Sequence, residues 1–269
     1  MKTTYFFAEL FLLDLFACCH AYPQYPLPDI EDAHFIEDCV RAHNEFRSKV
    51  NPPASNMFRV SWDAALAKTA KAWAKKCKFK HNVYLKMPQK VHPTFTPVGE
   101  NIWTGTATIF SVDRALSDWF NEVKSYNFHT NRCTGMCGHY TQVVWAESYK
   151  IGCAVHFCNT VENFQGLFEA AHFVCNYGPA GNYPRQPYKT GMSCSRCSNE
   201  KCTDKLCDWD TQPRPPRPPA PPYVPPAEHP RPSCDQYCLS VSILRPLFLI
   251  LSTGAVLLVQ KWFPHTFFY

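Results

Sequence analysis

Fifteen cysteines in 269 residues constrain this chain more than any other feature. In a reducing compartment so many thiols would need metal or redox work, and most of them lack the spacing of zinc ribbons. An oxidised, secreted or cell-surface protein held by disulfides is the reading they support. Two cysteines lie near the N-terminus (Cys18, Cys19), seven between Cys39 and Cys175, four between Cys194 and Cys207, and two at Cys234 and Cys238. Cys194-x2-Cys197-x4-Cys202-x4-Cys207 encloses too little sequence for a core, so two disulfides are expected there, with a zinc site as the alternative. Loss of Cys18 and Cys19 with a leader leaves an odd number, so at least one thiol stays free or pairs between chains.

The ends fit that compartment. Residues 1–21 carry Lys2, an apolar stretch from Tyr5 to Cys19 and then Cys19-His20-Ala21, which predicts a signal peptide cleaved after Ala21; the alternative is an uncut signal anchor. Near the other end, Leu247–Val259 is too short to cross a bilayer. Its extension over 241–263 brings Arg245 and Lys261 to the ends, where long cationic chains snorkel, and Trp262 to an interface. This predicts a single-pass type I transmembrane segment with the rest outside the cell, against a glycolipid-anchor signal as the rival. A secreted form fits the same leader. Residues 211–232 hold 11 prolines in 22 positions, a polyproline II stalk of roughly 70 Å when extended.

The segment between leader and stalk has globular composition. The net charge of +5, from 27 Lys+Arg and 22 Asp+Glu, is too thin and scattered for a nucleic-acid-binding face. Asp32–Val50 reads as an amphipathic helix with Phe35, Ile36, Val40, Phe46 and Val50 on one stripe. Asp63–Cys77 repeats the pattern with Leu66, Ala70, Trp73 and Cys77. Ser111 caps a third helix whose buried face is Ala115, Leu116, Trp119 and Val123. Tyr140–Trp145, Ile151–Phe157 and Ala171–Tyr177 read as short strands, with His139 opening the first, and Val83–Val98 and Asn159–Ala170 as loops. Helices first and strands after imply α+β layers. The chain has no Asn-x-Ser/Thr sequon, so N-glycosylation is expected to be absent or minor.

Four polar residues in apolar surroundings are candidates for chemistry: His81, Glu100, Glu122 and His139. Glu122 lies at the edge of the third helix's buried face, where a carboxylate needs a partner. Glu100 lies in Val98-Gly99-Glu100-Asn101-Ile102-Trp103. No local metal motif joins the four, and each histidine taken singly reads as a hydrogen-bonded structural residue.

Gly138-His139-Tyr140-Thr141-Gln142-Val143-Val144-Trp145 resembles the first signature of the CAP superfamily, which groups cysteine-rich secretory, antigen 5 and pathogenesis-related proteins. Phe173-Val174-Cys175-Asn176-Tyr177-Gly178-Pro179-Ala180-Gly181-Asn182-Tyr183 resembles the second. Cys77–Asn82, Gly99–Trp103 and His43–Arg47 match further family blocks, over residues 32–190 in all. The resemblance implies a three-layer α-β-α sandwich (a CAP domain at 32–190) with a four-cysteine hinge module at 191–210. It implies that His81, Glu100, Glu122 and His139 converge in an open cleft where the two histidines bind Zn2+ in some relatives. It also implies the disulfides Cys77–Cys158, Cys153–Cys175, Cys194–Cys202 and Cys197–Cys207, leaving Cys39, Cys133 and Cys137 to compete for one bond. Only Cys234 and Cys238 follow Cys207, too few for the ion-channel regulatory domain of some relatives. The expected function is binding of a sterol-like lipid, a divalent metal or an extracellular protein without turnover. The alternative is a zinc-dependent hydrolase or protease in which Glu100 and Glu122, close enough to raise one another's pKa, act as acid and base. A third reading makes the four a structural network and puts function on the loops.

Overall fold

Each of the three long helices begins where a side chain can take up orphan backbone donors of its first turn. The computed structural model describes residues 27–198, 201–208 and 261–262. The expected signal peptide and stalk lie outside these residues, as does the transmembrane segment apart from Lys261 and Trp262. No helix among the described residues is long and apolar enough to cross a membrane. Asp32 caps α1 (Ala33–Ser48), Asp63 caps α2 (Ala64–Ala74) and Ser111 caps α3 (Val112–Asn121), each through hydrogen bonds to N–H groups of its helix's first turn.

The sheet has four strands in the order β1-β5-β6-β2, with β1 (Ser61–Trp62), β2 (Gly99–Thr106), β5 (Lys150–Val161) and β6 (Phe164–Gly178). β5 and β6 form a long antiparallel hairpin, β2 runs antiparallel to β6, and β1 is parallel to β5. Side-chain alternation divides the strands between two cores. Cys153, Val155, Phe173, Cys175 and Tyr177 pack with Phe35 and Cys39 of α1, Leu116 and Trp119 of α3 and Tyr140 of α4 (Gly138–Val143). Ile102, Ala154 and Val174 pack on the opposite face against Ala67, Ala70 and Ala74 of α2. The architecture is therefore an α-β-α sandwich. Two small ribbons complete the fold, β3 (Tyr126–Asn127) with β4 (Arg132–Cys133), and β7 (Lys201–Thr203) with β8 (Leu206–Asp208).

Two sequence expectations are corrected here. Residues 140–145 do not form a strand: Gly138–Val143 is helical and His139 lies in its first turn. Thr141, Val143 and Val144 favour extended structure locally, but side chains from elsewhere cap both ends of this turn and override the propensity. Asn159–Ala170 is not a loop, because β5 and β6 pair through it as far as Val161 with Phe164. Phe164 and Leu167 pack on Cys158 and Val161, while Phe168 is 68% exposed. Residues 83–98 form no regular element, yet Val91 and Val98 are pinned beneath Leu66, and Thr69 donates its hydroxyl to the Val91 carbonyl.

α1 departs from its expected stripe. Phe35 is buried as expected, but Ile36 and Val40 are only partly covered, and Cys39, His43, Asn44 and Arg47 take the inner positions. Five disulfides are formed: Cys77–Cys158, Cys133–Cys137, Cys153–Cys175, Cys194–Cys202 and Cys197–Cys207. Among the described residues Cys39 alone is free, and its burial pushes the thiol pKa well above the ordinary value. The ribbon β7–β8 is joined to the sandwich by backbone hydrogen bonds between Cys207 and both Met57 and Arg59.

Candidate functional site

β2 is the element around which the four candidate residues are arranged. Its alternation puts Glu100 on the side of Ile102, toward α2, and Asn101 on the side of Trp103, toward α3. Glu100 Oε1 accepts from His81 Nδ1 at 2.9 Å and from the Asn82 backbone N–H at 2.9 Å. The Glu100 side chain is 1% exposed and that of His81 is 64% exposed, so a buried carboxylate holds an imidazole at the surface. This contact raises the His81 pKa above its ordinary value. Glu100 Oε2 is buried without a partner among the described residues.

Glu122 repeats the arrangement. Its Oε1 accepts from His139 Nδ1 at 2.6 Å, and its Oε2 accepts from the backbone N–H groups of His139 at 2.9 Å and Tyr140 at 3.3 Å. One carboxylate thus orients the imidazole and caps the short helix α4, whose orphan N–H groups favour negative charge. Trp119 stacks on the His139 ring with centroids 6.0 Å apart. Asn101 Nδ2 donates to the His139 carbonyl at 3.0 Å and to the Tyr177 hydroxyl at 3.3 Å. Both dyads therefore touch neighbouring residues of β2.

The four residues form two His–Glu dyads. Two groups of three donors come within 4.8 Å of one another among the described residues, His43/Cys153/Cys175 and Cys194/Cys197/Cys207, and their cysteines are all in disulfides. Each carboxylate is committed to its own histidine and to backbone N–H groups.

The donor set nevertheless suits a metal. With Nδ1 donated to a carboxylate, each imidazole carries its proton there and keeps an Nε2 lone pair with no partner among the described residues. A carboxylate on the far nitrogen is the usual support of a metal-ligating histidine, because it fixes the tautomer and makes the ring a better ligand. An ion held by both Nε2 atoms would have its remaining tetrahedral positions open to water. Sequence reading missed the parts played by Asn82, Asn101 and Trp119. The signal was present in the asparagines that follow His81 and Glu100, but which backbone groups they and their neighbours meet is a tertiary matter.

Residues 40–177 match the family described as CAP, the cysteine-rich secretory protein family. The chain is 45% identical over 240 residues to glioma pathogenesis-related protein 1 of Mus musculus, covering 89% of each chain. It is 48% identical over 203 residues to GLIPR1-like protein 1 of Homo sapiens, covering 75% of this chain and 81% of the relative. Among solved structures, one described as NaASP2 with Zn2+ is 27% identical, covers 68% of this chain and 100% of that one, and has a TM-score of 0.52.

Proposed function

Because the chain belongs to the cysteine-rich secretory protein family, we propose that it is an extracellular binding protein whose two buttressed histidines hold a divalent metal without turnover. The observation that carries this reading is the duplicated dyad, Glu100 on His81 and Glu122 on His139, with each Nε2 left over. Zn2+ is the ion the imidazoles suit, and it is also named for the related NaASP2 structure. When bound it would acidify its water ligands. This chain's own residues orient the rings, and they keep a proton on each Nδ1.

The reading without turnover is supported by how the acids and the nearest hydroxyl are held. Each carboxylate holds a histidine, Glu100 Oε2, the oxygen without a partner among the described residues, is buried, and Ser148 Oγ is buried, donating to the Pro179 carbonyl and accepting from Gln142 Nε2. The zinc hydrolase reading would need one of these groups released. Five disulfides support the extracellular placement, since such bonds persist in oxidising compartments. A protein partner fits the surface beside His81 better than a sterol-like lipid. Val83, Tyr84 and Met87 stand exposed there.

The test is calorimetric titration of Zn2+ into the secreted chain and into its His81→Ala/His139→Ala double variant. Micromolar binding that disappears in the double variant is expected; equal binding by both proteins overturns the metal site. Peptide or ester hydrolysis that is abolished by chelator and by Glu100→Gln overturns the absence of turnover.

A further inference from the structure

The positive charge of this chain is not scattered as its small net value suggests. Between Ala64 and Gly99 there are eight lysines (68, 71, 75, 76, 78, 80, 86 and 90) and no Asp or Glu. The remainder of the chain holds 19 basic and 22 acidic residues and is net negative. Lys68, Lys71 and Lys75 follow at spacings of three and four along α2, on the side opposite the buried Leu66, Ala67, Ala70 and Ala74, a line of about 10 Å. Lys75, Lys76 and Lys80 are exposed, with no carboxylate partner among the described residues. Asp29 pairs with Lys71 and Glu162 with Lys78, and each of these acids meets one lysine only.

The segment after α2 is held rigidly. Trp73 Nε1 donates to the Lys80 carbonyl at 2.8 Å, the Cys77–Cys158 disulfide ties the turn to β5, and the Phe79 N–H bonds the Glu162 carbonyl. His156 of β5 lies beside this row, where burial and the nearby Lys75 and Lys71 lower its pKa, so it adds a polar ring and not a further charge. A preorganised cationic row loses little entropy when a charged chain is laid along it.

We propose that this face, formed by α2 and residues 75–80 with His156 beside it, binds a sulfated polysaccharide. Linear arrays of lysine recognise polyanions through many weak, additive contacts, and basic clusters of this length serve heparin-like chains as readily as nucleic acids. The choice of polyanion rests on the extracellular placement argued above. Outside the cell, nucleic acid is not the resident polyanion, and anionic phospholipid is concentrated in the cytoplasmic leaflet. The metal dyads are not needed for this contact.

The experiment is elution of the secreted chain from immobilised heparin by sodium chloride, with affinity measured against soluble heparin. The wild-type chain elutes above the physiological ionic strength of about 0.15 M. Lys75→Glu/Lys76→Glu/Lys80→Glu weakens binding about tenfold or more, because each neutralised contact is lost together with its released counterion. Lys124→Glu/Arg132→Glu/Lys189→Glu makes the same change in net charge elsewhere and leaves the affinity near that of the wild type. His81→Ala/His139→Ala binds heparin normally, which separates this face from the metal site. Equal losses in the two charge-reversal variants would reduce the effect to net charge and overturn the proposal. Undiminished binding to desulfated heparin would overturn it too, as would binding to phosphatidylserine vesicles but not to heparin.

Discussion

Arg47 is buried and faces no carboxylate among the described residues; its guanidinium donates instead to the carbonyls of Phe58, Val143, Trp145, Ala146 and Ser148 at 2.7–3.1 Å. Burial lowers its pKa to about 9. Arg47→Met removes every donor at once; the Trp145 and Ala146 carbonyls keep the Ser148 and Phe58 N–H groups, while those of Phe58, Val143 and Ser148 lose the guanidinium, so we expect a loss of about 3–5 kcal/mol, read as a lower denaturant midpoint at unchanged slope. Arg47→Lys recovers only part of this, since an ammonium lacks the planar fork. His43 is locked by its surroundings. Nδ1–H donates to the Cys39 carbonyl at 2.7 Å, Nε2 accepts from the Tyr177 hydroxyl at 2.9 Å, and burial lowers its pKa to about 4. His172, bonded to Thr104 Oγ1 at 2.7 Å, is likewise lowered to about 4 by burial. Between about pH 6.5 and pH 4 the unfolded chain binds more protons than the folded one at both positions. Stability therefore falls as pH falls through that window, and these two groups contribute no further slope below it. His81 runs the other way: its raised pKa gives stability that is present below about pH 6.5 and lost as pH rises through the folded value, and solvent weakens it at so exposed a side chain. Urea midpoints across pH 4–8 check the balance, and a His172→Gln variant should show the shallower acid limb.

At the scale of elements, α4 shows how tertiary groups make a helix that local propensity would not. Six residues are far too few for a stable isolated helix. Glu122 supplies the acceptor at its N-terminus, and Arg47 takes carbonyls at and just beyond its C-terminus. Glu122→Gln replaces a charged cap by a neutral one, so about 1 kcal/mol should be lost and the His139 and Tyr140 amides should exchange faster than those of α1. β5 and α2 meet with almost no clearance at Gly152, where an added Cβ would stand 2.1 Å from the Ala67 nitrogen and 2.6 Å from the Asp63 carbonyl oxygen. Both atoms are backbone and cannot turn aside. Gly152→Ala should cost about 1–3 kcal/mol by forcing the helix from the sheet, read as a lower melting temperature.

Across the whole molecule, the disulfides act very unequally. Cys77–Cys158 closes a separation of 81 residues and ties the end of α2 to β5, whereas Cys133–Cys137 spans four. Loop-closure entropy assigns about 4–5 kcal/mol to the first and about 2 kcal/mol to the second. Replacing the first pair by alanine should therefore lower the denaturation midpoint more than replacing the second. The same bond holds the lysine-bearing turn, so its removal should also weaken heparin binding, a loss that removal of Cys133–Cys137 should not produce.

The sequence by itself determined the oxidised character of the chain, the three helices and the cap of the third, the strands over 151–157 and 171–177, and the four polar residues to watch. Those properties are local: a cap, a period or a cysteine spacing needs only neighbouring residues to express it. Tertiary structure alone decided that 138–143 is a helix, that His43 and Arg47 rather than Ile36 and Val40 fill the inner face of α1, and that Cys39 is the free thiol. It also decided that each glutamate serves its own histidine, so that the four candidates became two dyads. The reason is the same throughout. Where a buried donor or acceptor finds its partner depends on residues 17 to about 100 positions away, as with Glu122 and His139 or Arg47 and Ser148, and unsatisfied polar groups cost enough to override local preference.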